Sequence, residues 1–311
     1  MSRDTKAFPT GQQFTIADGD AVAVITEVGA GIRSFSIRGV DVLYGFGEAE
    51  ECHSGRGQHL LPWPNRIRDG RYTWEGKEQQ LALTEPERHN AIHGLTRFAT
   101  WDLVAHQGNR VTHTYRLYPQ TGWSGILDFE VTHTVHGNAL TVDVRVTNVG
   151  SLPAPYGYAC HPYLTVGEEQ ADDVSMLIPA GQFLEVDDRL LPIRISDVDG
   201  RPYDFRSAQQ IGDRVLDTAF TGLAAGSSGN WEVVLASGAR STRMWGDASC
   251  SWLQVFTGDT LKGDLRRRSG IAVEPMTCGP DAFNPGPTHD GLITLAPGAD
   301  HQLRWGVAAD V

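Results

Sequence analysis

Apolar and polar residues alternate with a period of two along much of this chain, and turn residues separate the runs. In the clearest case Phe129, Val131, His133 and Val135 share one face, and Leu140, Val142, Val144 and Val146 share one face of the next run, with His136-Gly137-Asn138 between them. This is the pattern of an antiparallel hairpin closed by a tight turn. Val111, His113, Tyr115 and Leu117 repeat it, as do Tyr72 and Trp74, followed by a Glu75-Gly76-Lys77 turn and then Leu81 and Leu83. Half-buried antiparallel strands produce such alternation. With Gly at 35 and Pro at 16, breakers fall too often for long helices, and only a short turn near residues 207–211 has helical spacing. The expected fold is all-β, a large antiparallel β-sandwich with very little helix.

No composition shift or charged linker divides the chain, and the Gly-Ser stretch over 224–230 reads as one surface loop. The 311 residues suit a single β-sandwich domain over 1–311, since such domains run long and 40% apolar residues supply a sizeable core. A formal charge of −12 repels phosphodiester and anionic lipid, so neither nucleic acid nor a membrane is an expected partner. A small neutral ligand fits that balance, and no signal specifies an oligomeric state. Cys52, Cys160, Cys250 and Cys278 lie far apart with no C-x-x-C pair, which predicts free thiols and no metal site. The first residues lack the apolar core of a signal peptide and no stretch is long enough to span a bilayer, so a cytoplasmic location is expected.

Candidate chemistry concentrates in three segments where ionisable groups stand among Gly, Pro and aromatic residues, as in loops that rim a cleft. They are Leu61-Pro-Trp-Pro-Asn-Arg-Ile67 with Asn90-Ala-Ile-His-Gly94, Tyr156-Gly-Tyr-Ala-Cys-His-Pro-Tyr163, and Val273-Glu-Pro-Met-Thr-Cys-Gly-Pro-Asp281. His161 and Glu274 each precede a proline, which biases both toward extended backbone and places each at a strand end. A carboxylate and an imidazole facing one another make a general base and a general acid, with free pKa values on either side of the range just below neutrality. Glu274 lies in the apolar run Ile271-Ala-Val-Glu-Pro-Met, where an unpaired carboxylate is costly unless it has a partner or a task. Each residue also has a plainer reading. His161 and His93 fit hydrogen-bonded core or turn positions, Arg66 fits an ion pair with a neighbouring acid, and Asp217 fits a turn cap. The arginines Arg266, Arg267 and Arg268 fit a phosphate or sulfonate site or, more simply, a solvated loop.

Taken together, Asn65-Arg66-Ile67, Asn90-Ala-Ile-His-Gly94, His161-Pro-Tyr163, Asp217 and Val273-Glu274-Pro275 resemble, in order and over nearly the whole chain, the aldose 1-epimerase (galactose mutarotase) family. The resemblance implies a β-sandwich whose concave sheet face binds a sugar. It implies Glu274 as catalytic base, His161 as catalytic acid, His93 as a second histidine near the anomeric oxygen, and Arg66 and Asp217 as ligands of sugar hydroxyls. Asn65 joins the substrate-binding set through the same motif, as scaffold of the arginine's loop. Leu61-Pro-Trp-Pro64 and His93-Gly-Leu95 depart from the galactose-acting members and resemble a bacterial branch of less defined specificity.

The implied reaction interconverts the α and β anomers of a free aldose by ring opening and reclosure. It has no net redox or group transfer, and no cofactor is expected. Three alternatives are weighed: a hexose-6-phosphate 1-epimerase, which needs a cationic pocket that the charge of −12 disfavours; a non-catalytic carbohydrate-binding protein of the same fold, which has no use for the Glu274 and His161 pair; and a metal-dependent cupin-like enzyme, for which neither His53 with His59 nor His133 with His136 makes a persuasive ligand set.

Overall fold

The computed structural model describes residues 7–167, 170–261 and 267–311. Two large antiparallel sheets carry the architecture. The first has nine strands in the order Asp102–Gln107, Arg110–Leu117, Leu127–His136, Ala139–Asn148, Asp300–Asp310, Arg240–Gly246, Trp231–Ser237, Ser175–Leu177 and Gln209–Gln210. The second runs Pro192–Asp197, Ala180–Val186, Asp217–Leu223, Trp252–Phe256, Ile271–Met276, Ala159–Cys160 and His59–Leu60, with Tyr163–Leu164 also paired to Ile271–Met276. A four-stranded sheet over Gln13–Asp18, Ala21–Thr26, Ile32–Ile37 and Val40–Asp41 completes the core from the N-terminal side.

The alternation seen in the sequence decides what each sheet buries. Phe129, Val131 and Val135 from one strand and Leu140, Val142 and Val146 from the next are fully inaccessible, and the hairpin closes with His136 opposite Ala139. Across from them the second sheet contributes Phe220, Leu253, Val255, Val273 and Cys160 to the same apolar cluster. Each such buried aliphatic or aromatic side chain contributes about 1.5–3 kcal/mol. A polar replacement such as Val131→Asp would place an uncompensated carboxylate among them.

Helix is confined to single 3-10 turns at Pro86–Arg88, Ala171–Asp173 and His289–Gly291 among the described residues. The helical turn expected near 207–211 is not one: Gln209–Gln210 is a short edge strand on Ser175–Leu177. Two ladder pairings and the burial of Ile211 outweigh a helical spacing too short to nucleate a helix. Residues 224–230 form the expected loop, and all four cysteines are free. No described helix is long and apolar enough to cross a membrane.

Candidate active site

The face of the second sheet turned away from the core carries the chemistry. In Ile271–Met276, Val273 points into the core cluster, so Glu274 is displayed on the opposite face. Gln254 pairs in register with Glu274, and Ala219, two residues along from Asp217, pairs with Gln254. Asp217, Gln254 and Glu274 therefore share one face. Cys160 faces the core and His161 follows it, turned to the same outer side. Glu274 thus sits inside its strand, not at the end expected from the sequence, because the extended backbone favoured before proline is also strand backbone and pairing continues through Pro275 opposite Leu253.

Asn65, Arg66, His93, His161, Asp217 and Glu274 all line one cleft of about 530 Å³. A groove of about 620 Å³ crosses the outer face of the nine-stranded sheet, but there Arg116 is already paired with Asp128 and no lining atom is a buried polar group without a partner.

At the cleft floor His161 Nε2 lies 3.3 Å from Glu274 Oε1. The imidazole is fixed on several sides. It stacks on Tyr163 at 5.1 Å and 18°, meets His93 edge-on at 5.5 Å and 79°, and covers Gly55, where a Cβ would approach its Cδ2 to 3.1 Å. Its backbone N–H donates to the Gln58 carbonyl at 3.0 Å and its carbonyl accepts from Gly57 at 2.9 Å. Glu274 Oε2, His161 Nδ1 and His93 Nδ1 are buried with no protein partner, so hydrogen-bonding capacity is held open at the centre of the site.

Burial sets the protonation of this pair. Desolvation pushes Glu274 well above the usual carboxyl range and the Asp217 charge adds to that, while Arg66 opposes it. Desolvation also lowers His161 to about 3, opposed by its own backbone and reinforced by the Arg97 charge. His93 is lowered by burial and by Arg97, His161 and Arg66. The values expected from free side chains are therefore not those of the site. Burial disfavours the charged form of both partners, and one proton moving between them across 3.3 Å interconverts the neutral pair with the carboxylate and imidazolium.

Arg66 has an anion of its own: Nε and Nη2 donate to the two Glu85 oxygens at 2.8 and 2.9 Å, and Asn90 Nδ2 donates to Glu85 Oε2 at 3.0 Å. The ion pair anticipated as its plainer role is real, and it orients the guanidinium at the cleft wall. From Arg66 a chain of side chains crosses the site. Arg66 Nη1 donates to Asn65 Oδ1 at 3.3 Å, Asn65 Nδ2 to Gln254 Oε1 at 3.4 Å, and Gln254 Nε2 to Asp217 Oδ1 at 2.7 Å. His93 is hung on this loop by its N–H, which donates to the Asn65 carbonyl at 2.9 Å. Both Asn65 and His93 adopt left-handed backbone, at φ 51° and 63°. Gly94 follows at φ +72°, where a Cβ would stand 2.0 Å from the Leu61 carbonyl oxygen. No other residue permits that approach.

Glu85, Gln254 and Arg97 also line the cleft and were not singled out from the sequence. The Arg268 guanidinium is engaged by Asp172 and Asp259, Arg267 Nε donates to the Leu261 carbonyl at 3.3 Å, and Arg266 lies outside the described residues. No group of three or more metal-ligating side chains converges among the described residues.

Comparison with known proteins adds to this geometry. The sequence profile of the aldose 1-epimerase family matches residues 12–307. The protein YihR of Escherichia coli (strain K12), described as uncharacterized, is 31% identical over 299 residues, covering 96% of this chain and 93% of its own. The galactose mutarotase of Sus scrofa is 27% identical over 291 residues, covering 85% of this chain and 82% of its own. A crystal structure of a GalM/aldose epimerase homologue from C. elegans superposes with a TM-score of 0.85 at 19% identity, covering 96% of this chain and 98% of that one.

Proposed function

The chain belongs to the aldose 1-epimerase family, and from that premise we propose that it interconverts the α and β anomers of a free aldose by general acid and base catalysis. The observation that carries the reading is the contact of His161 Nε2 with Glu274 Oε1 at 3.3 Å on the floor of a sugar-sized cleft.

In the ion-pair form, Glu274 removes the proton of the C1 hydroxyl while His161 delivers its proton to the ring oxygen. The bond between C1 and the ring oxygen breaks as the C1 carbonyl forms. Rotation about C1–C2 and reclosure return both protons, so the pair ends as it began. Each partner is worth about 10²–10⁴-fold by proton transfer. In this reading His93 donates to the oxygen on C1 as its charge changes. Arg66 and Asp217 hold non-reacting hydroxyls, and Asn65 holds the loop that carries Arg66 and His93. Hydroxyls missing from a wrong sugar leave these groups unpaired, which is the basis of selection.

The test is polarimetry of freshly dissolved α-aldoses with chelator-treated protein and no added cofactor. Approach to anomeric equilibrium faster than buffer for at least one sugar is expected. Rates equal to buffer for every sugar, with binding retained, would favour a carbohydrate-binding protein of the same fold.

A further inference from the structure

Among the described residues, one cation of the cleft has no anion. Arg66 and Arg88 both reach Glu85, at 2.8 and 3.1 Å. Arg56, buried below, donates to the Gly45 and His53 carbonyls and faces the rings of Tyr44 and Phe46. Arg97 differs from all three. It lines the cleft with His93, His161 and Glu274, yet no carboxylate pairs with it among the described residues. Its side chain makes one long hydrogen bond, 3.4 Å from Nη1 to Gln58 Oε1, and lies over the exposed Phe98 ring at 5.0 Å. A guanidinium partly withdrawn from water normally finds an anion, since its desolvation is otherwise uncompensated.

Arg97 is held in place relative to the reacting groups. Gln58 Nε2 donates to the Arg97 carbonyl at 3.2 Å, while the Gln58 carbonyl accepts the His161 N–H at 3.0 Å. Its charge bears on His93 and His161 and not on Glu274, whereas the Arg66 charge bears on both Glu274 and His93. Arg97 therefore belongs to the histidine end of the cleft. In the reaction above, His161 serves the ring oxygen, and the exocyclic carbon of a hexose is attached to the ring carbon beside that oxygen.

We propose that Arg97 recognises a monoanionic group, a carboxylate or sulfonate, on the exocyclic carbon of the sugar, so that the substrate class is an acidic hexose. The inference rests on the epimerase reading for the orientation of the sugar. A guanidinium offers two parallel N–H groups to two oxygens of such a group. The one cation left unpaired among the described cleft residues balances one negative charge. A phosphate dianion would leave a charge uncompensated in a protein whose net charge is −12.

The experiment measures anomer exchange by NMR for a neutral hexose, its 6-uronate, its 6-deoxy-6-sulfonate and its 6-phosphate, in the wild type and in Arg97→Met. A uronate or sulfonate kcat/KM roughly 10- to 100-fold above the neutral sugar is expected, as for a hydrogen-bonded charge, with the ratio collapsing in Arg97→Met. In the wild type, added salt should raise KM for the acidic sugar and leave KM for the neutral sugar nearly constant, a readout that needs no variant to fold. Saturation-transfer binding of the same sugars separates the two readings. Exchange of neutral sugar without acidic preference, or a preference unchanged in folded Arg97→Met, overturns the Arg97 inference and leaves the epimerase. Salt-sensitive binding of acidic sugars without exchange of any sugar overturns the epimerase and keeps Arg97 as an anion site. A phosphate ester favoured over both monoanions overturns the monoanionic class.

Discussion

Two groups of buried histidines lie back to back across the second sheet, and only one of them faces a carboxylate. On the cleft side, His161 meets Glu274 at 3.3 Å. On the core side, His59, which pairs in register with Cys160, has Nδ1 2.9 Å from the Tyr158 hydroxyl and Nε2 3.2 Å from His133 Nε2. Trp305 Nε1 donates to the same hydroxyl at 2.8 Å, so Tyr158 can donate to His59 and His59 to His133 in one direction. His113 stands nearby against Phe14, with neither ring nitrogen partnered. Burial lowers all four histidines, His59 to about 3 and His113 to about 4, with His133 and His161 shifted the same way. A depressed imidazole is thus no mark of a catalyst. The difference lies in the partner and in access: the cleft pair can pass a proton to something that enters, while the core set is shut away from the cleft and stays neutral.

The largest expected effect is on the cleft side. Glu274→Gln and His161→Asn should each lower kcat by about 10²–10⁴-fold with the fold intact. The double variant should be far less impaired than the product of the two, because the pair acts as a unit. Exchange NMR with circular dichroism decides this, and near-normal exchange by folded Glu274→Gln would move the base to Asp217. The next effect belongs to the core. Tyr158→Phe removes the acceptor of Trp305 and the donor to His59, and should cost about 1–3 kcal/mol in denaturant unfolding while kcat stays within roughly threefold. A matching collapse of kcat would break the division between the two faces.

The third prediction separates the groups by pH. Below 6.5 the unfolded chain protonates each core histidine while the folded chain keeps it neutral. The unfolded state then binds more protons, so stability falls with falling pH by about 1.4 kcal/mol per unit per histidine until the folded value is reached. His93 has the same sign. The cleft pair does not. As pH falls, the raised Glu274 takes up a proton more readily folded than unfolded, and this offsets the loss from the lowered His161. As pH rises above the unfolded glutamate value of 4.5, the raised Glu274 costs stability until its folded value is reached. His113→Phe should therefore flatten the acid limb by about 1.4 kcal/mol per unit, and an unchanged slope in urea titrations at several pH values would rule this out. The smallest effect is a near absence. With His161 lowered to about 3, kcat/KM should show no acid limb centred near 6.5, and such a limb would show His161 titrating as a free imidazole.

Period-two patterning made the sheets legible, since the residues it aligned are those the core buries, and the motif residues His161 and Glu274 do meet. The sequence is silent about Glu85 because Thr84-Glu85-Pro86-Glu87-Arg88 reads as a charged loop, and only the folding of that loop against Arg66 buries the carboxylate. Gln254 is one polar residue in an apolar strand, and its place opposite Glu274 is a matter of register between segments twenty residues apart. Arg97 is distinguished by a missing partner, which no local pattern encodes. The protonation of the pair is equally hidden, because free-solution pKa values omit the desolvation that the fold imposes.

The alternation of Val273 and Glu274 ties heritable change to chemistry. Inserting or deleting one residue in Ile271–Met276 would exchange their faces, placing the acid in the core and valine in the cleft. Length variation in this strand is therefore closed to drift in a way that the exposed loop over 224–230 is not, and a library of single-residue insertions across the chain should show the contrast as a sharp gap among functional clones.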